Sequence, residues 1–164
     1  YQIDFSVDPV ERFNITATFR YTNAKIELAE RGLVEKPMTS RFKGVLNLQY
    51  ATNLNKWIFD FTASANGSCR VYDFMKNLKD ADGNLLYKNG RTPVYPLLYA
   101  QVTRRFKGWD VYVGAENITN FRQKNAIIDA SNPRSAAFDA SCIWGPLMSI
   151  KAHAGFRFTL WKKA

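Results

Sequence analysis

The sequence predicts an all-β chain of antiparallel, up-and-down strands. Three observations predict it. Apolar and polar residues alternate with a period of two along most of the 164 residues, which is the spacing of a strand with one buried and one wetted face. β-Branched and aromatic residues fill those runs, with aromatics at 15% of the chain. Tight turns and long polar loops alternate from one end to the other.

Seven strands are expected. The chain opens on Y-Q-I-D-F-S-V, residues 1–7, which reads as the middle of a strand. In 11–28, Phe13, Ile15, Ala17, Phe19 and Tyr21 alternate with Asn14, Thr16, Thr18, Arg20 and Thr22. In 39–51, Leu46, Leu48 and Tyr50 alternate with Val45, Asn47 and Gln49, and in 56–65 Trp57, Phe59, Phe61 and Ala63 alternate with Ile58, Asp60, Thr62 and Ser64. Strand 96–106 carries Leu98, Ala100 and Val102 against Tyr99, Gln101 and Thr103. Strand 109–117, W-D-V-Y-V-G-A-E-N, sets Trp109, Val111, Val113 and Ala115 against Asp110, Tyr112, Gly114 and Glu116. The last, 148–161, sets Ala154, Phe156, Phe158 and Leu160 against His153, Gly155, Arg157 and Thr159.

The connections are unequal. Asp8-Pro9, 52–55 and Lys107-Gly108 are tight turns, whereas 29–38, 66–95 and 118–147 are long and rich in Gly, Pro, Asn and charge. In a meander this places every tight turn at one rim and every long loop at the other, the pattern of a bacterial outer-membrane barrel with short periplasmic turns and long extracellular loops. Only helices and closed barrels pair all their backbone groups in lipid. Strands of this length suit a tilted crossing of the bilayer. Trp57, Trp109 and Trp161 fall at the turn-side ends, where an interfacial aromatic girdle belongs. The alternation does not by itself say which face points inward, since a soluble lipocalin-like barrel would turn the apolar parity toward its ligand. The loop asymmetry favours lipid. Bacterial single-chain barrels have an even strand number, and seven is odd. The chain is therefore expected to be the C-terminal portion of a larger barrel.

Composition narrows the alternatives. The net charge of +9 would suit a nucleic-acid binder, but Lys and Arg are scattered and form no stripe, so no nucleic-acid partner is expected. No apolar run approaches the ~20 residues of a spanning helix. No signal peptide is recognisable in these residues. Cys69 and Cys142 lack metal or redox-motif spacing. They read either as two small apolar residues or as one disulfide joining two loops, a bond that an oxidising export route permits.

The run Q-V-T-R-R-F-K-G-W-D-V-Y-V-G-A-E-N-I-T-N-F-R-Q-K-N-A-I-I-D-A-S-N-P, then F-D-A-S-C-I-W-G-P, then A-G-F-R-F-T-L-W, resembles the C-terminal end of TonB-dependent outer-membrane receptors. Residues 95–161 carry most of the likeness, and K-P-M-T-S-R-F-K-G-V-L-N-L-Q-Y with W-I-F-D-F-T-A-S-A-N-G upstream agrees with it. The resemblance implies the C-terminal portion of a barrel of roughly 22 strands with a plugged lumen, located in the bacterial outer membrane. It implies a transporter that binds a siderophore, haem, cobalamin or similar ligand at the cell surface and imports it into the periplasm. Its partners would be that small-molecule or metal-complex ligand, outer-membrane lipid and lipopolysaccharide, and the TonB complex through an N-terminal part outside these residues. The plug domain and TonB box are not among these residues either. Such receptors end on an aromatic residue, whereas Lys162, Lys163 and Ala164 follow Trp161 here; Phe158 or Trp161 would serve as that aromatic. A non-transport barrel with adhesive or structural loops, and a soluble ligand-binding barrel, are the alternatives.

No catalytic constellation appears, and neither an enzyme nor a cofactor is expected. His153, the single histidine, falls on the polar parity, where it reads as a hydrogen-bonded wall residue or else a haem or metal ligand; no metal site is assigned. Asn66-Gly67-Ser68 and Asn117-Ile118-Thr119 match a glycosylation sequon but read more simply as a loop start and a strand end. Specificity is expected in the loops, where Arg91, Tyr95, Arg122, Arg134 and Trp144 are the candidate ligand-binding residues. Basic and aromatic side chains suit an anionic, ring-bearing ligand through charge-assisted hydrogen bonds and stacking. They also read as solvated loop positions or as contacts to lipopolysaccharide phosphates.

Overall fold

The structure, a computed structural model, describes residues 1–79 and 82–160. The chain is an antiparallel β-protein with nine strands among those residues: β1 (Gln2–Val10), β2 (Phe13–Tyr21), β3 (Lys25–Leu28), β4 (Gly32–Glu35), β5 (Phe42–Ala51), β6 (Trp57–Asn66), β7 (Tyr95–Phe106), β8 (Trp109–Glu116) and β9 (Lys151–Phe158). Seven form one sheet in the order β1-β2-β5-β6-β7-β8-β9, and β3 with β4 forms a separate hairpin. Apart from that hairpin, neighbours in sequence are neighbours in space. The sheet is open, with β1 and β9 at its edges.

The tight turns have local causes. Between β7 and β8 only Lys107 and Gly108 intervene, and Gly108 takes φ +84°, a conformation that glycine adopts without steric cost. The first turn lies later than Asp8-Pro9: β1 runs on to Val10, and the chain reverses at Glu11 and Arg12, with Arg12 at φ +69°. Asp8 and Pro9 instead occupy a register shift between Val7 and Val10. Proline has no N–H to give a ladder, so a bulge is where it is tolerated in a strand.

The expected strand 11–28 is broken in two. Tyr21 pairs with Phe42, the first residue of β5, so beyond Tyr21 the partner strand has run out. The chain then pairs with itself, Lys25 facing Glu35 and Leu28 facing Gly32. Part of the expected 29–38 loop is thereby strand β4.

Register keeps like faces together across the sheet. One row reads Phe13, Tyr50, Phe59, Val102, Val113, Ala154, and the row beside it reads Asn14, Gln49, Asp60, Gln101, Gly114, His153. The polar face is laced by cross-strand hydrogen bonds: Gln49 Nε2 donates to Asp60 at 2.8 Å, Asn47 Nδ2 to Thr62 at 2.8 Å and the Thr18 hydroxyl to Asp4 at 2.7 Å. The apolar face is uncovered. Phe156 is 76% exposed and Ile3 69%, and Phe5, Phe19, Phe59, Val113 and Phe158 are exposed with them. A sheet ordinarily buries its apolar face against a second layer. Here the buried hydrophobic residues Cys69, Val71, Met75, Tyr87, Tyr95 and Cys142 lie in the loops or, for Tyr95, at the loop end of β7.

At the short-turn end, Trp57 and Trp109 stand on the apolar face, Trp57 stacked on Phe59 and Trp109 on Phe106 at 4.1 Å. Between them, Arg104 lays its guanidinium 4.6 Å from the Trp57 ring centre and 5.4 Å from that of Phe106. Trp161, the third girdle tryptophan expected from the sequence, lies outside the described residues.

Candidate functional site

The long connections between β2 and β5, β6 and β7, and β8 and β9 emerge at one end of the sheet and pack on each other. Val71, Met75, Tyr87 and Cys142 form a buried cluster, flanked by Met38, Leu78, Leu86, Ile128 and Trp144. All three loops contribute to it. One backbone bond ties the first loop to the second, Met38 N–H donating to Arg70 O at 2.8 Å. Others close the second and third loops on themselves, Val71 N–H donating to Gly90 O at 3.0 Å and Gln123 N–H to Pro146 O at 2.8 Å.

Two buried amides hold the third loop. Asn117, at φ +52°, donates from Nδ2 to Phe121 O at 2.8 Å and to Met148 O at 2.9 Å, while its Oδ1 accepts from Phe121 N–H at 3.1 Å. It thus clips the loop's start to its end. Asn tolerates left-handed backbone better than other non-glycine residues, which accounts for its place in E-N-I-T-N. In the same motif the Thr119 hydroxyl donates to Pro96 O at 3.0 Å, and Asn120 Oδ1 accepts from Ile150 N–H at 3.2 Å. Gln123 donates to Cys142 O at 2.9 Å and accepts from the N–H groups of Trp144 and Gly145 at 2.8 and 3.1 Å. Every buried amide atom is satisfied, so these side chains rigidify the loop instead of destabilising it.

Charges add a second set of ties. Glu35, at the end of β4, receives Arg91 and Arg41, while Arg70 donates to its backbone carbonyl. The Arg91 guanidinium holds the Glu35 carboxyl below the usual carboxylate range; burial opposes this and Arg41 reinforces it. Asp73 sits among Lys76, Arg70 and Arg31, with its pKa lowered to about 2, chiefly by Lys76.

Tyr95 is the hinge between sheet and loops. It lies on the polar parity of β7, facing Asn66, and stacks on Phe121 with ring centres 4.5 Å apart. Its hydroxyl donates to Trp144 O at 3.1 Å, and Trp144 Nε1 donates to the Tyr87 hydroxyl at 3.3 Å. The aromatic cluster therefore closes the loop end of the polar face.

Against this cluster opens a cleft of about 210 Å³ lined by Leu86, Tyr87, Pro93, Phe121, Arg122, Lys124 and Trp144. Of the five residues proposed from the sequence, Arg122 and Trp144 line it. Tyr95 lies behind the wall, supporting Phe121. Arg91 is turned away into its pair with Glu35, a structural use of its charge. Arg134 is exposed elsewhere on the third loop. Sequence reasoning missed Leu86, Tyr87, Pro93 and Phe121. Only Phe121, adjacent to Arg122 and just past E-N-I-T-N, carried a local signal.

The two cysteines are free, buried thiols, and no bond joins the loops at the pair suggested by the sequence. Cys69 is held by Thr92, whose hydroxyl accepts from the Cys69 N–H at 2.9 Å and lies 3.4 Å from its sulfur. Cys142 packs with Val71, Met75 and Tyr87. Burial pushes both thiols up.

His153 projects from the polar face of β9, its Nε2 3.3 Å from Gln101 Oε1 and its Nδ1 4.0 Å from Glu116. Among the described residues no three His, Cys, Asp or Glu side chains are placed to hold a metal ion. Among the described residues the cleft has no carboxylate, imidazole or thiol in its lining. Its chemistry is recognition, with aromatic and apolar lining beside two exposed cations, Arg122 and Lys124.

No protein-family model, curated protein or solved structure matches the chain.

Proposed function

We propose that this chain is part of the membrane-embedded barrel of a TonB-dependent outer-membrane transporter, with β1 and β9 paired to further strands of a closed barrel. The reading is carried by the uncovered apolar face. More than a dozen large apolar side chains on it are exposed. Burying such a side chain in full is worth about 1.5–3 kcal/mol, so more than a dozen of them, about half exposed, forgo on the order of 10–20 kcal/mol in water, as much as the roughly 5–15 kcal/mol that stabilises a typical domain. Lipid removes that cost. The strands of the sheet, eight to twelve residues long, match the roughly 9–11 needed for a tilted crossing, and Trp57 and Trp109 stand at one margin, where an aromatic girdle sits. The polar face then lines the interior, and the loop cluster with its cleft faces outward to meet the transported ligand.

The test uses the full-length protein in its own cells. It should fractionate with the outer membrane, require detergent for extraction and shift its electrophoretic mobility on boiling, as folded barrels do. Ligand uptake should stop when TonB is removed. Recovery in detergent-free washes would overturn the membrane reading. A heat-modifiable barrel that supports no TonB-dependent uptake would favour a structural or adhesive barrel instead.

A further inference from the structure

We propose that the cleft between the second and third long loops takes a monocyclic aromatic acid, a single ring bearing a carboxylate. The inference rests on the outward placement of these loops and names the chemistry they would select.

Size sets the first limit. A dry cavity of about 150 Å³ accepts benzene, and pockets for drug-sized ligands run to roughly 300–1,000 Å³. At about 210 Å³ the cleft fits one ring with a small substituent. Its lining suits a ring: Phe121, Trp144 and Tyr87 supply aromatic surface, and Leu86 and Pro93 add apolar surface.

Charge sets the second limit. Arg122 and Lys124 are the ionisable lining groups beside the Tyr87 phenol, and both are exposed. Among the described residues neither is engaged in an ion pair, whereas Arg91, Arg70 and Arg41 are all committed to acidic partners. Two cations free at the mouth of an apolar cleft complement a ligand with an anionic end, and a guanidinium pairs with a carboxylate through parallel hydrogen bonds.

The walls are already set. Phe121 is held by its stack on Tyr95, and Trp144 by Gln123 at its N–H and by Tyr87 at its Nε1. A cleft that needs no ordering on binding keeps more of its contact energy as affinity.

The shared chemistry has two sources, a free aryl acid or an aryl acid group on a larger molecule. The experiment is a calorimetric or NMR titration of the full-length protein, in detergent if it proves to be a barrel and in buffer if it does not. The probes are benzoate, benzamide, cyclohexanecarboxylate and 4-acetamidobenzoate. Benzoate should bind at least tenfold more tightly than benzamide, which lacks the charge, and than cyclohexanecarboxylate, which lacks the ring. Arg122→Gln combined with Lys124→Gln should weaken benzoate about tenfold while leaving benzamide unchanged and heat-modifiable mobility intact. Tighter binding of 4-acetamidobenzoate would assign the ring to a larger molecule, and its exclusion would assign a free acid. Equal binding of benzoate and benzamide, or no benzoate binding by protein with intact mobility, overturns the proposal. The buffer arm keeps it testable even if the membrane reading fails.

Discussion

Arg91 and Glu35, held on different loops, meet in a two-pronged ion pair, Nη1 to Oε2 at 2.9 Å and Nη2 to Oε1 at 3.0 Å. The Glu35 side chain is only 16% exposed, so the pair is shielded from screening more than an ordinary surface bridge.

Because the Glu35 carboxyl titrates below its unfolded value, the pair contributes fully above the usual glutamate range and is lost as pH falls through the depressed value. Loop protection in hydrogen exchange should hold from neutral pH down to about 4.5 and fall below it. Glu35→Gln should lower loop stability by roughly 1–3 kcal/mol at neutral pH, since it strands Arg91, and should flatten that acid dependence. An unchanged profile in the variant would assign the acid sensitivity to other carboxylates.

On the sheet, β8 and β9 exchange glycines for rings. Gly114 lies under His153 and Gly155 under Tyr112. A Cβ at Gly155 would stand 2.5 Å from the Tyr112 hydroxyl, all its close neighbours being side-chain atoms. A Cβ at Gly114 would stand 2.6 Å from His153 Nε2 and also 2.8 Å from the Ala100 carbonyl. Both Ala variants should lose about 1–3 kcal/mol to overpacking. Adding Tyr112→Ala should rescue Gly155→Ala, whereas adding His153→Ala should leave Gly114→Ala impaired, because the backbone clash remains. Denaturant unfolding of the four variants reads this out.

Tyr95 tests whether sheet and loops are coupled. Tyr95→Phe keeps the stack on Phe121 and loses the bond to Trp144 O, a change of about 0.5–1.5 kcal/mol. Tyr95→Ala removes the ring as well and should cost roughly 3–5 kcal/mol. Limited proteolysis should cut the third loop readily in the alanine variant and slowly in the phenylalanine one. Equal cutting of both would show that the stack is dispensable.

Free, buried thiols at Cys69 and Cys142 imply a labelling pattern. Both sites should resist alkylation in the folded protein and both should react after unfolding without reductant, since thiolate access controls the rate. Intact mass counts the labels. A mass lower by two protons that reductant reverses would instead place a disulfide in the exported protein.

Period-two alternation determined by itself that the chain is β-structure, where most strands run and which side chains share a face, because that information is local and repeats every second residue. It also marked the turn-side tryptophans and the unequal connections. The end of β2 was not legible, because it depends on where β5 begins as a partner. Nor were the uses of Arg91, Tyr95 and Gln123, whose contacts span 56, 49 and 21 residues of chain. Such pairings follow from loops folding on one another. Only the tertiary structure decided that Arg91 holds a carboxylate while Arg122 and Lys124 stand at the mouth of a cleft, since identical side chains acquire different roles from the charges and rings brought beside them.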